Sequence, residues 1–229
     1  MREVSSNNRT IIIAGTTGLV GRAVLKAALQ DQTIGAVHSL SRRPLKIEHV
    51  KLKEHLVDFD NLPELPQADE LYLALGTTIK IAGSRPAFRA VDYSANLAVA
   101  RAALAAGVQR IGLVSSMGAD AQSSIFYLQV KGELESALLK LGFAGSVFVR
   151  PSLLVGDRRA LGQPHRIGEQ IGIFVTAFLG RLVPHRFRPV SASAVASALL
   201  AYVPTAEGNR VVISSELPDA LQKGDTTDR

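Results

Sequence analysis

The stretch Thr10-Ile11-Ile12-Ile13-Ala14-Gly15-Thr16-Thr17-Gly18-Leu19-Val20-Gly21 decides the fold. Its first half is a nearly unbroken β-branched run, the pattern of a strand buried on both faces. Its second half carries glycines at 15, 18 and 21, and a helical pattern over 18–31 follows at once. Glycine at a strand-to-helix turn permits positive φ, lets the backbone approach a pyrophosphate and lets the helix pack close to the strand, while the helix amino terminus favours an anion. The spacing G-x-x-G-x-x-G is a weak signal alone, since any tight turn uses glycine. Its position between the first strand and the first helix gives it force. It assigns Gly15, Thr16, Thr17, Gly18, Leu19, Val20 and Gly21 to dinucleotide binding.

Outward from this turn, short apolar runs alternate with helical patterns. The strands are predicted at 10–15, 36–41, 52–57, 70–75, 110–115, 145–150 and 210–214, the helices at 18–31, 86–106, 125–141 and 191–203. Strand and helix in alternation, joined by right-handed crossovers, give an α/β fold: a doubly wound, mostly parallel sheet with helices on both faces. Ligands of such sheets bind beyond the carboxyl ends of the strands. Residues 151–190, rich in Gly, Pro, Arg and His, break the rhythm and read as a substrate-side insertion with one short apolar helix near 167–182. The tail 218–229 reads as frayed. No repeat or linker divides the chain, so residues 1–229 are expected to form a single domain.

The second strand should end with the residue that reads the adenosine ribose. Here that end is Ser41-Arg42-Arg43, with no Asp or Glu between 32 and 47. A carboxylate would bond the ribose hydroxyls of NAD(H) and repel a 2′-phosphate, whereas guanidiniums fork onto phosphate oxygens. Arg42 and Arg43 therefore favour NADP(H) over NAD(H), the alternative being a solvated basic loop. Arg22 is a second candidate phosphate contact. Asp58 and Phe59 after the third strand, and Leu75 and Gly76 after the fourth, complete the expected cofactor-binding set. Asp58 is assigned either to the adenine amino group or to a plain strand end.

Composition narrows the function further. The 229 residues, 47% hydrophobic and 20% charged, are the profile of a compact folded chain. Without cysteine there is no disulfide framework, thiol nucleophile or zinc-thiolate site. The five histidines include no pair at helical spacing, so no metal is expected. The net charge of +6 comes from scattered basic residues, and aromatics are only 5%, which argues against a nucleic-acid platform. Residues 1–9 are polar, and the apolar runs at 10–14 and 171–179 are too short for export or membrane spanning. No membrane partner is expected, and the default location is the cytoplasm.

Along 125–141, Leu134, Leu138 and Leu141 line one helix face. Tyr127 and Lys131, four residues apart, continue that stripe. A lysine extending a core stripe is anomalous: it either snorkels past the helix end or is buried for a purpose. The strand at 110–115 delivers Ser115 and Ser116 nearby. A phenol, an ammonium and a hydroxyl around a nicotinamide form a carbonyl-reducing constellation. The phenol handles the proton, the cation favours its ionised form, and the hydroxyl holds the substrate oxygen.

These residues carry a resemblance. Gly15-x-x-Gly18-x-x-Gly21, Ser115-Ser116-Met117-Gly118-Ala119, Tyr127-Leu128-Gln129-Val130-Lys131-Gly132-Glu133 and Arg150-Pro151 look like the short-chain dehydrogenase/reductase superfamily, in its atypical branch related to the Tat-interacting protein. The resemblance covers about residues 10–214. It implies a Rossmann fold, NADP(H) as cofactor and Tyr127 with Lys131 as the acid/base pair, Lys131 also holding the nicotinamide ribose. Ser116 is the better match to the family serine, Ser115 the alternative. Where many members carry an asparagine on the fourth helix, this chain has Asp92, with Asn96 one turn on.

Basic residues in 77–88 and 151–190, among them Lys80, Arg85, Arg158, Arg159, Arg166, Arg186 and Arg188, fit an anionic small-molecule substrate or a solvated rim, and His165 and His185 read as surface residues. The expected activity is NADP(H)-dependent hydride transfer to or from a small carbonyl or alcohol. The alternatives are an NADP(H)-binding sensor with little turnover, and a nucleotide-retaining epimerase or lyase.

Overall fold

The computed structural model describes residues 8–155 and 189–217. Within them the strands are Arg9–Ala14 (β1), Ile34–Ser41 (β2), Leu52–Leu56 (β3), Glu70–Leu73 (β4), Arg110–Val114 (β5), Gly145–Arg150 (β6), Leu154–Val155 (β7), Val190–Ser191 (β8) and Gly208–Ile213 (β9). Seven of them form one sheet in the order β3-β2-β1-β4-β5-β6-β9, and each neighbouring pair is parallel. The order reverses between β1 and β4, which opens a crevice above their carboxyl ends. This is the doubly wound Rossmann-type sheet that the sequence predicts.

The helices are Leu19–Gln30 (α1), Ile79–Ala82 (α2), Arg85–Arg89 (α3), Asn96–Ala105 (α4), Phe126–Leu139 (α5) and Ala192–Tyr202 (α6). The unbroken apolar run of β1 is explained by what covers it. Ile11 and Ile13 face α1 and α6, where Val24, Leu25, Val195 and Leu199 pack with them. Ile12 and Ala14 face the opposite side, with Leu71, Ile111, Val99 of α4 and Leu134 and Leu138 of α5. Side chains this deeply buried each contribute roughly 1.5–3 kcal/mol, so the two helical layers hold the sheet from both faces.

The amino end of the sheet is fastened by charge. Arg9 forks onto Glu70 at 2.7 and 2.9 Å and reaches Asp31 at 3.2 Å and Thr33 at 2.8 Å, while the buried Tyr72 hydroxyl donates to Glu70 at 2.6 Å. Satisfying Glu70 in this way is what allows a carboxylate to sit buried at the start of β4.

The structure departs from the predicted elements at the site end. The helix predicted over 86–106 is broken into α3, a π-helical turn over Ala90–Ala95, and α4. The fourth strand stops at Leu73, and the short α2 follows, started by Thr78 and ended by Gly83 at φ +85°. The two ends of the predicted insertion are joined: β7 pairs with β8, and Val190 N–H donates to Leu153 O at 2.8 Å. The helix predicted near 167–182 and the tail 218–229 lie outside the described residues. No helix among the described residues is long and apolar enough to cross a membrane.

On β2 and β3, His38 Nδ1 lies 2.8 Å from His55 Nε2, with the rings stacked. Burial, then the neighbouring His55 and Lys53, push His38 down from 6.5 to about 4, and His55 is lowered as well. As pH falls below 6.5 the unfolded chain takes up protons that the folded chain refuses until about 4. The contribution is therefore intact above 6.5 and lost between the two values. Chemical denaturation at a series of pH values should show a shallower loss of stability over that interval for His38→Gln than for the parent. Identical slopes would contradict the assignment.

Candidate nucleotide and catalytic cleft

The crevice at the strand-order reversal is a cleft of about 600 Å³. Its floor is backbone. Gly15 takes φ +93°, and a Cβ there would fall 2.6 Å from Ala74 C and O. A Cβ on Gly21 would fall 2.1 Å from Gly15 O. The turn can thus close only with hydrogen at both positions. Gly18 begins α1 with no side-chain cap, and the first turn of α1 carries no acidic residue, so its backbone N–H groups face the cleft end without a competing anion. Thr16 is fully buried and bonds Ser39 across to β2 at 2.7 Å, which pins the turn.

Gly15, Thr17, Gly18, Leu19 and Val20 line the cleft, as do Arg42, Arg43, Phe59, Leu75 and Gly76. Because β2 and β3 lie on one side of β1, Arg42, Arg43 and Phe59 occupy one end of it. Ser41 Oγ donates to Arg43 O at 2.8 Å and shapes the bend that presents both arginines. Three expected cofactor residues stand apart. Thr16 and Gly21 build the turn from beneath, and Asp58 is an exposed turn residue whose carboxylate accepts from Asp60 N–H at 3.1 Å.

At the other end, Ser115, Tyr127 and Lys131 line the same cleft. The Tyr127 ring packs on the buried Phe88, 5.6 Å between centroids. Gly132, directly after Lys131, brings α5 against the loop after β5: a Cβ there would meet Asp120 C and Ala121 N at 2.2 Å. Lys131 is buried rather than snorkelling, and its ammonium pairs with Asp92 Oδ1 at 2.7 Å. Asp92 Oδ2 accepts Thr77 N–H at 2.8 Å. Burial pulls the lysine down, but the Asp92 carboxylate, with Tyr127 and Glu135, outweighs it and leaves the ammonium above its ordinary value. Lys131 is thus held in its charged form on the wall that also carries Tyr127.

The π-helical turn puts Asp92 there. Its widened coil frees carbonyls, and the Asn96 amide gathers them, donating to Val91 O and Asp92 O at 3.2 Å and to Leu75 O at 3.3 Å. Asp92 therefore meets the lysine, and Asn96 shapes the turn that carries it.

The two serines differ. Ser115 is buried, and its hydroxyl donates to Glu135, which is itself forked onto Arg150. Ser116 is half-exposed and makes a long 3.4 Å contact to Met117 O. Sequence reasoning missed the Ser115–Glu135–Arg150 chain. Its signal was a carboxylate four residues after Lys131 on the same buried stripe. Among the described residues, Lys80 and Arg85 do not line the cleft. Arg158, Arg159, His165, Arg166, His185, Arg186 and Arg188 lie outside them.

Residues 15–154 match the family model described as NAD(P)H-binding. The chain is similar to "Protein FMP52, mitochondrial" of Meyerozyma guilliermondii, 38% identical over 154 residues, spanning 65% of this chain and 66% of that protein. The protein of the same name from Debaryomyces hansenii is 33% identical over 215 residues, 89% of this chain and 92% of that one. Among solved structures, the Bordetella bronchiseptica enzyme WbmF in complex with NAD+ aligns with a TM-score of 0.67 at 13% identity, covering 96% of this chain and 80% of that one. The chain belongs to the NAD(P)H-binding family and has a Rossmann fold. The relatives' names overturn the expected cytoplasmic location, since they carry the word mitochondrial.

The buried pair has a measurable consequence. Lys131→Met leaves Asp92 buried without its partner and should cost about 3 kcal/mol in urea denaturation. Adding Asp92→Asn, which keeps an acceptor for Thr77 N–H, should restore most of that loss. A double variant no more stable than the single one would contradict the pairing.

Proposed function

We propose that this member of the NAD(P)H-binding family is an NADP(H)-dependent oxidoreductase acting on a small carbonyl or alcohol substrate. The observation that carries the reading is that Tyr127 and Lys131 line the same cleft as the glycine turn and the Arg42–Arg43 pair. The fit to a dinucleotide rests on the glycine turn and the start of α1, which line the cleft with no acidic residue in the first turn, and on Arg42 and Arg43 in the same lining.

In this reading Gly15–Val20 and the amino end of α1 hold the pyrophosphate, and Arg42 and Arg43 hold a 2′-phosphate. When bound, the nicotinamide gives or takes the hydride. Tyr127 donates its phenolic proton to the carbonyl oxygen as the new C–H bond forms, and recovers it in the reverse direction. Lys131, kept charged by Asp92, stabilises negative charge on the phenolic oxygen and holds the ribose. Ser116 orients the substrate oxygen, since the Ser115 proton is already given to Glu135. The relatives' names favour a mitochondrial setting.

Fluorescence titration tests the cofactor half. NADPH should bind more tightly than NADH, and Arg42→Ala/Arg43→Ala should weaken NADPH by roughly tenfold or more while sparing NADH. Equal affinity for the two nucleotides in the parent would defeat the NADP(H) assignment. For the catalytic half, Tyr127→Phe should abolish carbonyl-dependent NADPH consumption and keep NADPH affinity. Turnover surviving in that variant would remove Tyr127 as the acid.

A further inference from the structure

The face of α5 that carries Tyr127 and Lys131 continues, one turn further on, to Glu135. Glu135 is buried, and both of its oxygens are engaged. Its Oε1 accepts from Ser115 Oγ and, at 3.0 Å, from Arg150 Nε, while Oε2 takes the other arm of the guanidinium at 2.5 Å. The bond to Glu135 holds the Arg150 guanidinium above its ordinary value. A buried ion pair gives little net stability over apolar side chains of similar volume, so what this one supplies is placement.

What it places is the loop after β5. Ser115 directly follows β5, Arg150 ends β6, and one carboxylate joins them from α5. The backbone repeats the connection, since Ser115 N–H donates to Val149 O at 2.8 Å and Met117 N–H to Pro151 O at 3.0 Å. Ser116 is the residue between these two fixed points. Ser115 lines the cleft, but a serine hydroxyl has one proton, and that of Ser115 is committed to Glu135. It can accept from a ligand and cannot donate to one. The Ser116 contact to Met117 O, at 3.4 Å, is too long to hold its proton in the same way. Neither Glu135 nor Arg150 lines the cleft, so an effect of either on a reaction there passes through the serines.

We propose that Glu135, backed by Arg150, is a positioning residue: it withdraws the Ser115 proton from the cleft, fixes the loop, and so assigns the substrate oxygen to Ser116. The proposal rests on the oxidoreductase reading for the task, and on these hydrogen bonds for the residues that set it.

The test compares the full-length parent with Glu135→Leu/Arg150→Met, in which both charges go together so that neither is left buried without its partner. Reduction of benzaldehyde by NADPH is followed with Ser115→Ala and with Ser116→Ala in each background. In the parent, Ser116→Ala should lower kcat at least about tenfold more than Ser115→Ala. The reverse order there would overturn the proposal without recourse to the double variant. In the double variant kcat should fall while NADPH affinity is kept, and the two serine changes should become equal or exchange order, because the Ser115 proton returns to the cleft. A contribution to stability alone would leave that order as it was. A double variant with the parent's kcat, or the same serine order in both backgrounds, would overturn the proposal. Amide hydrogen exchange read by NMR tests the anchor without turnover. Met117 should exchange at least about tenfold faster in the double variant, and unchanged exchange would overturn the anchoring role. A parent that binds NADPH and reduces neither benzaldehyde nor other simple aldehydes would defeat the oxidoreductase reading itself, and the task assigned to Ser116 with it.

Discussion

Three pieces of backbone meet where no side chain fits. Gly15 presses on Ala74 at the end of β4, and Gly21 presses on Gly15 from the first turn of α1. A methyl group at either position would fall within 2.6 Å of carbonyl atoms, far inside contact distance. This constraint sets the height of α1 above the sheet, the width of the crevice between β1 and β4, and the direction in which the N–H groups of α1 point. The helical layers and the two halves of the core are arranged around it. A fold held this way offers a nucleotide phosphate bare amides where most proteins offer side chains.

The two ends of the sheet use charge for opposite purposes. At the amino end Arg9, Glu70, Asp31 and Tyr72 close on one another and leave nothing for a ligand. At the carboxyl end Lys131 and Asp92 also pair, but they do so on the wall of an open cleft beside Tyr127. The first cluster holds strands together. The second holds an ammonium charged against the pull of burial, which acts to lower its pKa. One helix, α5, supplies both the cation under Tyr127 and, through Glu135, the anchor for Ser115, so the phenol and the serine loop are referred to a common rigid element.

The sheet was legible because its signal is simple. Strands covered on both faces read as unbroken apolar runs, as in Ile11–Ala14, and a glycine turn at a fixed place in the order marks the crevice. Lys131 was legible for the opposite reason: a charge on an apolar stripe is an inconsistency that calls for a partner. The partner was harder to read. Asp92 reaches the lysine because of a π-helical turn, and a run such as Ala90–Ala95 carries no period that distinguishes it from ordinary helix. The role of Asn96 is likewise set by carbonyls that only this turn releases. The choice between Ser115 and Ser116 depends on which of two adjacent hydroxyls meets Glu135, a matter of strand-end direction. The basic residues of 77–88 showed their number but not their aim, since Arg85 is directed to a ring rather than to the cleft.

The most direct measurement is a crystal structure of the protein with NADPH bound. The account requires the pyrophosphate on the Gly15–Gly21 turn, the adenosine end beside Arg42 and Arg43, and the nicotinamide ring against Tyr127 with its ribose within hydrogen-bonding reach of Lys131. A nucleotide bound elsewhere on the sheet, or one lying in the cleft with its nicotinamide turned away from Tyr127, would contradict it.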